Sequence, residues 1–208
     1  MSLLVPNRRL ALMGLSALAL SACGKSGGAG GGSVTLPDDM SLGNPNAKVK
    51  VVEYASVSCP VCGRWYRDNW AAFKAKYVDT GKVHFTYREM LVGDADEVAA
   101  AANGFLLARC AGPDKYFKIV DAIYDSQTAL FADPRADLLN IAKSTGMTEA
   151  QFDACVRNPA SLDALEKRVQ ANSAKDNVTA TPTFVINGKA LEAGYRPLPD
   201  IEAAIAAA

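Results

Sequence analysis

Residues 49 to 54, Val49-Lys50-Val51-Val52-Glu53-Tyr54, carry a β-branched, mostly apolar run that predicts a strand. Further on, Tyr66, Trp70, Phe73 and Tyr77 recur at helical spacing and predict a helix over 64–77 with an aromatic core face. Gly81 then turns the chain into a second strand over 83–89. A strand–helix–strand unit of this length predicts a right-handed parallel crossover.

The pattern turns wholly helical from 94 to 175. Asp94 with Glu97 is a capping-box signature ahead of an Ala-rich helix ending near Cys110, and Gly112-Pro113 stops it. Residues 114–125 carry a broad apolar face, from Tyr116 and Phe117 to Ile123 and Tyr124. Asp133-Pro134 predicts an N-cap followed by proline at the first helical position, and Gly146 closes that helix. Thr148 and Gln151 start another, which carries Cys155 and ends at Asn158-Pro159; a last one runs from 161 to about 174. Strand character then returns at Thr183-Phe184-Val185-Ile186. Asn187-Gly188 predicts a hairpin into 189–192, and a terminal helix follows Pro199.

The N-terminus does not fit a packed domain. Arg8 and Arg9 precede an apolar run, 10–20, too short for a stable membrane span, so residues 1–22 read as an export signal. Its end, Leu20-Ser21-Ala22-Cys23, resembles the lipobox of bacterial lipoprotein precursors. That resemblance implies cleavage before Cys23 and acylation of it. An ordinary secretory signal with an incidental Cys23 is the alternative, and the Arg8-Arg9 pair also leaves twin-arginine export open. Residues 23–36 are dominated by Gly, Ser and Ala and predict a flexible tether, with a reach of roughly 20 Å for about a dozen such residues.

The 208 residues balance 22 basic against 22 acidic side chains, but setting aside Arg8, Arg9 and Lys25 leaves 19 basic against 22 acidic. With no basic run or basic–aromatic stripe, nucleic acid is not an expected partner.

Candidate chemistry centres on Cys59-Pro60-Val61-Cys62. The motif lies between the first strand and the aromatic helix. The N-terminal N–H groups and dipole of that helix favour a thiolate on Cys59, and Pro60 suits its first turn. Such a thiolate is a good leaving group, and the pair reads as thiol–disulfide exchange chemistry. A static disulfide or half a zinc site is the alternative. One C-x-x-C and two single cysteines are not a zinc-knuckle pattern, and the lone His84 reads as a packed or surface residue, so no metal is expected.

These elements together resemble the bacterial DsbA-type thiol–disulfide oxidoreductases. The likeness runs from about Leu42 to the C-terminus, on Gly43-Asn44-Pro45, the Cys59 motif, and Ala180-Thr181-Pro182 before the strand–Asn187-Gly188–strand hairpin. It implies an α/β thioredoxin fold, βαβ then ββα, with an inserted all-helical domain. The expected bounds are 37–93 and 176–208 for the thioredoxin-like part and 94–175 for the insertion. By the resemblance Cys59 is the nucleophile and Cys62 the buried resolving cysteine. Pro182 takes the place of a cis-proline facing them, with Thr181 offering backbone polar groups to substrate; a trans proline starting a strand is the alternative. Glu53 corresponds to a buried acid whose raised pKa would let it relay the proton of Cys62, against an outward-facing residue paired with a lysine. Cys110 and Cys155 match a second disulfide across the insertion, expected to be buried and to outlast mild reductant, against two separate thiols.

One position departs from the family's strongly oxidising members, which carry histidine before the second cysteine. Here Val61 stands there, implying a less depressed Cys59 pKa and leaving the direction of electron flow between oxidase and reductase or isomerase open. The resemblance further implies catalysis without metal, flavin or nucleotide on reduced or misoxidised exported proteins, with disulfide donation through Cys59-Cys62 as the first reading; a reductase or isomerase, and a non-catalytic binding lipoprotein with a static disulfide, are the alternatives. Recharging would fall to a quinone-linked, DsbB-like membrane partner or a membrane thiol carrier. A monomer is expected, lipid-anchored in the periplasm, with Gly24 after Cys23 favouring the outer membrane's periplasmic face.

Overall fold

The computed structural model describes Leu36 and residues 38–208. The expected export signal, Cys23 and the tether fall outside the described residues, apart from Leu36. No helix among the described residues is long and apolar enough to cross a membrane.

Five strands form one mixed sheet: β1 (Met40–Gly43), β2 (Val49–Ala55), β3 (Val83–Glu89), β4 (Thr183–Ile186) and β5 (Lys189–Ala190), in the order β1-β3-β2-β4-β5. The crossover unit is present, with β2 and β3 parallel and Glu53 opposite Tyr87, whereas the other neighbours are antiparallel. Because side chains alternate along a strand, β2 serves two cores. Val51 and Ala55 join the large cluster of Cys62, Trp65, Phe73 and Phe184, and Val52 and Tyr54 join a small one with Met90, Val178 and Val185. Glu53, between Val51 and Ala55, therefore lies on the face of the large core.

A helical run over 60–78 (α1) connects β2 to β3, starting as Pro60–Trp65 and widening to π-type turns over Tyr66–Trp70 and Lys74–Val78. It begins four residues earlier than the aromatic pattern alone predicts, because Cys59 caps it and Pro60 opens it. Six helices lie between β3 and β4: α2 (Ala95–Cys110), α3 (Pro113–Asp125), α4 (Gln127–Ala132), α5 (Pro134–Ser144), α6 (Glu149–Val156) and α7 (Pro159–Asp176). Both capping boxes form, Asp94 with Glu97 and Thr148 with Gln151. The last helix, α8, is Leu198–Ala206.

Four details differ from the sequence reading. β1 and α4 were not anticipated. α7 starts at Pro159 because the Asn158 side chain caps it, accepting from the Ser161 amide at 3.1 Å, and it runs on to Asp176 before Asn177 turns left-handed at φ 53°. β5 stops at Ala190; only the Leu191 amide continues the pairing, donating to the Phe184 carbonyl at 2.8 Å.

A fully buried arginine locks the small-core side of the sheet. Arg88 donates to both carboxylate oxygens of Asp39, at 3.1 and 3.0 Å, and to Asp176 at 3.2 Å. It thereby ties the segment before β1 to β3 and to the end of α7. Its neighbour Glu89, also buried, receives Arg109 at 2.6 Å, Arg168 at 3.2 Å and the Tyr116 hydroxyl at 3.0 Å, holding three insertion helices on β3.

Candidate active site

The Cys59 sulfur is partly exposed at the N-terminus of α1 and accepts from the Cys62 amide at 3.4 Å. Cys62 is wholly buried, and both cysteines carry free thiols. From the far side, the Cys59 thiol donates to the Thr181 carbonyl at 3.7 Å. The Thr181–Pro182 peptide is cis, and the Gly194 amide donates to the Pro182 carbonyl at 2.8 Å, fastening this loop to the segment after β5.

These contacts drive the two thiols apart. A hydrogen bond from Cys62 is the largest influence holding Cys59 down at about 6, with Thr181 and the Cys62 and Val61 amides adding to it against the opposing cost of burial. Burial pushes Cys62 well up, and its hydrogen bond to Cys59 adds to the rise. The Thr181 hydroxyl is buried with no hydrogen-bond partner, and the Thr181 side chain is among the influences that favour the Cys59 thiolate. Val61 is 41% exposed and offers the sulfur only its backbone.

Glu53 is 3% exposed, and burial raises its pKa to about 8, helped by the negative charge of Cys59. Its charge acts on Cys62, Tyr87 and Tyr124, so the four share one buried electrostatic neighbourhood. The Tyr87 and Tyr124 hydroxyls are hydrogen-bonded to each other at 2.8 Å. His84 lies apart, opposite Gly43 at the start of β3.

Cys110 and Cys155 are joined by a disulfide, Cα–Cα 5.8 Å, linking the end of α2 to α6. Its surroundings correct the expectation of a buried bond: Cys155 is 7% exposed, whereas Cys110 lies exposed at its helix end. Leu107 and Ala108 just before it are buried, so the exposure is confined to the final residue of α2, which the helix pattern did not reveal.

The sequence reading missed Gln127, a buried residue at the start of α4. Its side-chain amide donates to the Val57 and Cys59 carbonyls, both at 3.0 Å. No local signal marks it, because the contact spans about 70 residues of chain.

A family model described as Thioredoxin matches residues 35–205. The chain belongs to the thioredoxin family. A Rickettsia conorii protein named "putative protein-disulfide oxidoreductase" is 30% identical over 154 residues, covering 73% of this chain and 54% of that protein. The disulfide bond formation protein D of Bacillus subtilis is 24% identical over 168 residues, 77% of this chain and 73% of that one. The chain thus spans little more than half the length of its Rickettsia relatives. Among solved structures, Wolbachia pipientis alpha-DsbA1 superposes with a TM-score of 0.74 at 25% identity, covering 84% of this chain and 92% of that one. Chlamydia trachomatis DsbA shares the fold at a TM-score of 0.69 and 19% identity, over 84% and 93% of the two chains. Within the thioredoxin family the chain is of the DsbA type, with its six helices set between β3 and β4.

Proposed function

We propose that this chain is a thiol–disulfide oxidoreductase that donates the Cys59–Cys62 disulfide to exported proteins as they fold. The carrying observation is the split between the two thiols: Cys59 held at about 6, and Cys62 buried and pushed up. A substrate thiolate attacks the Cys59 sulfur, the Cys59–Cys62 bond breaks, and Cys62 leaves and takes up a proton. In this reading Glu53, whose carboxyl burial raises to about 8 in the reduced protein and whose charge acts on Cys62, supplies that proton. A second substrate thiolate then attacks the substrate sulfur of the mixed disulfide, and Cys59 leaves as a stable thiolate. The substrate gains a disulfide and the protein is left as a dithiol. The Thr181 backbone beside Cys59 suits pairing with an extended substrate.

In this reading a DsbB-like, quinone-linked membrane partner restores the disulfide, and the chain works as a monomer in the periplasm, anchored through acylated Cys23. Val61 favours a second reading, a reductase or isomerase supplied by a membrane thiol carrier, since its side chain gives the thiolate nothing.

Redox titration against glutathione separates the two. A disulfide donor should lie nearer the roughly −120 mV of DsbA than the roughly −270 mV of thioredoxin. Cys59→Ser should abolish exchange, and Cys62→Ser should trap mixed disulfides. Exchange near wild-type rates in Cys59→Ser would end the enzymatic reading.

A further inference from the structure

The loop that delivers Cys59 is gripped from the helical insertion. At the α3–α4 corner, the Tyr124 hydroxyl donates to the Ser56 carbonyl at 3.2 Å, and Gln127 donates to the Val57 and Cys59 carbonyls. Three carbonyls of the loop before α1 therefore end on two side chains of one corner. The corner is itself fixed, with the Ser126 hydroxyl donating to Asp137 at 2.8 Å and Arg67 of α1 donating to the Tyr124 carbonyl at 3.0 Å. On its other side the Gln127 amide lies against Gly63, where a Cβ would come within 2.2 Å of its oxygen. Glycine at 63 is what lets the amide reach the loop.

We propose that Gln127 is a positioning residue for Cys59, through which the helical insertion sets the nucleophile's thiolate. This rests on the exchange reading above. The Cys59 carbonyl belongs to the residue that caps α1, and it also accepts from the Gly63 amide at 3.0 Å. Fixing that carbonyl fixes the rotation of the Cys59 backbone, and with it the aim of the sulfur at the Cys62 amide and Thr181. The Gln127 donors also offset the partial negative charge of two carbonyls near the sulfur, which would otherwise oppose a thiolate. Gln127 touches neither substrate nor sulfur; it acts through the loop. Cys62 and Glu53 are the titrating groups whose charges act with that of Cys59, and the hydrogen bonds of Gln127 go to neither.

The test is the pH profile of iodoacetamide alkylation of the reduced, full-length protein, read beside thermal melting. Gln127→Met keeps length and bulk but cannot donate. It should move the Cys59 midpoint upward by about half a unit or more, slowing alkylation about threefold below the midpoint. Gln127→Leu, which also lacks a donor, should move it the same way. Gly63→Ala, by displacing the amide, should reproduce the shift, and in a Gln127→Ala background, where there is room, it should add nothing. A folded Gln127→Met or Gln127→Leu with an unmoved midpoint, even with a lower melting temperature, would overturn the proposal by leaving Gln127 a packing role only. Should Gly63→Ala not fold, the two Gln127 variants decide it alone. Failure of the exchange reading shows separately, as wild-type protein that alkylates normally but exchanges no disulfides.

Discussion

The Cys59 sulfur lies 3.7 Å from the Thr181 carbonyl, joining two loops 122 residues apart in the chain. That approach, with the Cys62 amide on the other side, gives the site its asymmetry. In reduced protein, alkylation should modify Cys59 first, rising through a midpoint near 6 and levelling above it, while Cys62 stays unmodified. The folded pKa lies below the ordinary 9.0, so the Cys59 thiolate adds stability to the reduced form that is complete above about 9 and lost as pH falls through about 6. The disulfide form has no such dependence. Denaturation of both forms at pH 5, 7 and 9 should show the reduced form gaining on the oxidised one as pH rises.

Glu53 reverses that sign. Its folded pKa of about 8 stands above the ordinary 4.5, so its favourable contribution is whole below 4.5 and lost as pH rises through about 8. Glu53→Gln should therefore be more stable than wild type, by an amount that grows across that window and reaches at most a few kcal/mol. If the proposed relay operates, the variant should also exchange disulfides more slowly near neutral pH, because glutamine cannot pass a proton to Cys62. Because the Cys59 charge is one cause of the raised pKa, oxidation should lower the Glu53 value; difference infrared spectra of the carboxyl band would report it.

What the sequence disclosed was local. The capping boxes at Asp94 and Thr148, the proline at 134, and the Asn187-Gly188 turn each act within four residues, and each formed. The cysteine pair was visible because the helix start that activates it is adjacent in the chain. Hidden were features whose partners are far away. β1 exists by pairing Met40 with Tyr87, and α4, only six residues long, has no full hydrophobic period to announce it. Gln127 falls in the same class, as does Arg88 with Asp39 and Asp176. A buried cation is unreadable until the sheet brings its carboxylates together.

The Cys110–Cys155 bond closes a loop of 45 residues and should contribute up to ~4 kcal/mol through the entropy of the unfolded chain. Replacing both with alanine should lower the melting temperature by about 10 °C or less and leave the Cys59 alkylation midpoint unchanged. With Cys110 exposed, resistance to reductant cannot come from burial of that sulfur. It rests instead on the buried Cys155, a poor leaving group. Graded glutathione with peptide mapping should show Cys59–Cys62 opening first; early labelling of Cys155 would contradict this.

Thr181 carries a buried hydroxyl with no hydrogen-bond partner. An unpaired buried hydroxyl costs about 1–3 kcal/mol of desolvation, so Thr181→Val, similar in shape, should leave the reduced protein at low pH as stable as wild type or about 1 kcal/mol more so. Above the Cys59 midpoint the comparison should turn. Once the thiolate forms, the wild-type hydroxyl has an acceptor, and valine leaves the charge without that donor. The variant should therefore show a higher Cys59 midpoint than the wild type's value near 6, and its stability advantage should shrink from pH 5 to pH 8. Melting curves of reduced protein at those two pH values, paired with alkylation rates, test both halves. An advantage that stays constant across the range would mean that the hydroxyl never turns to the sulfur.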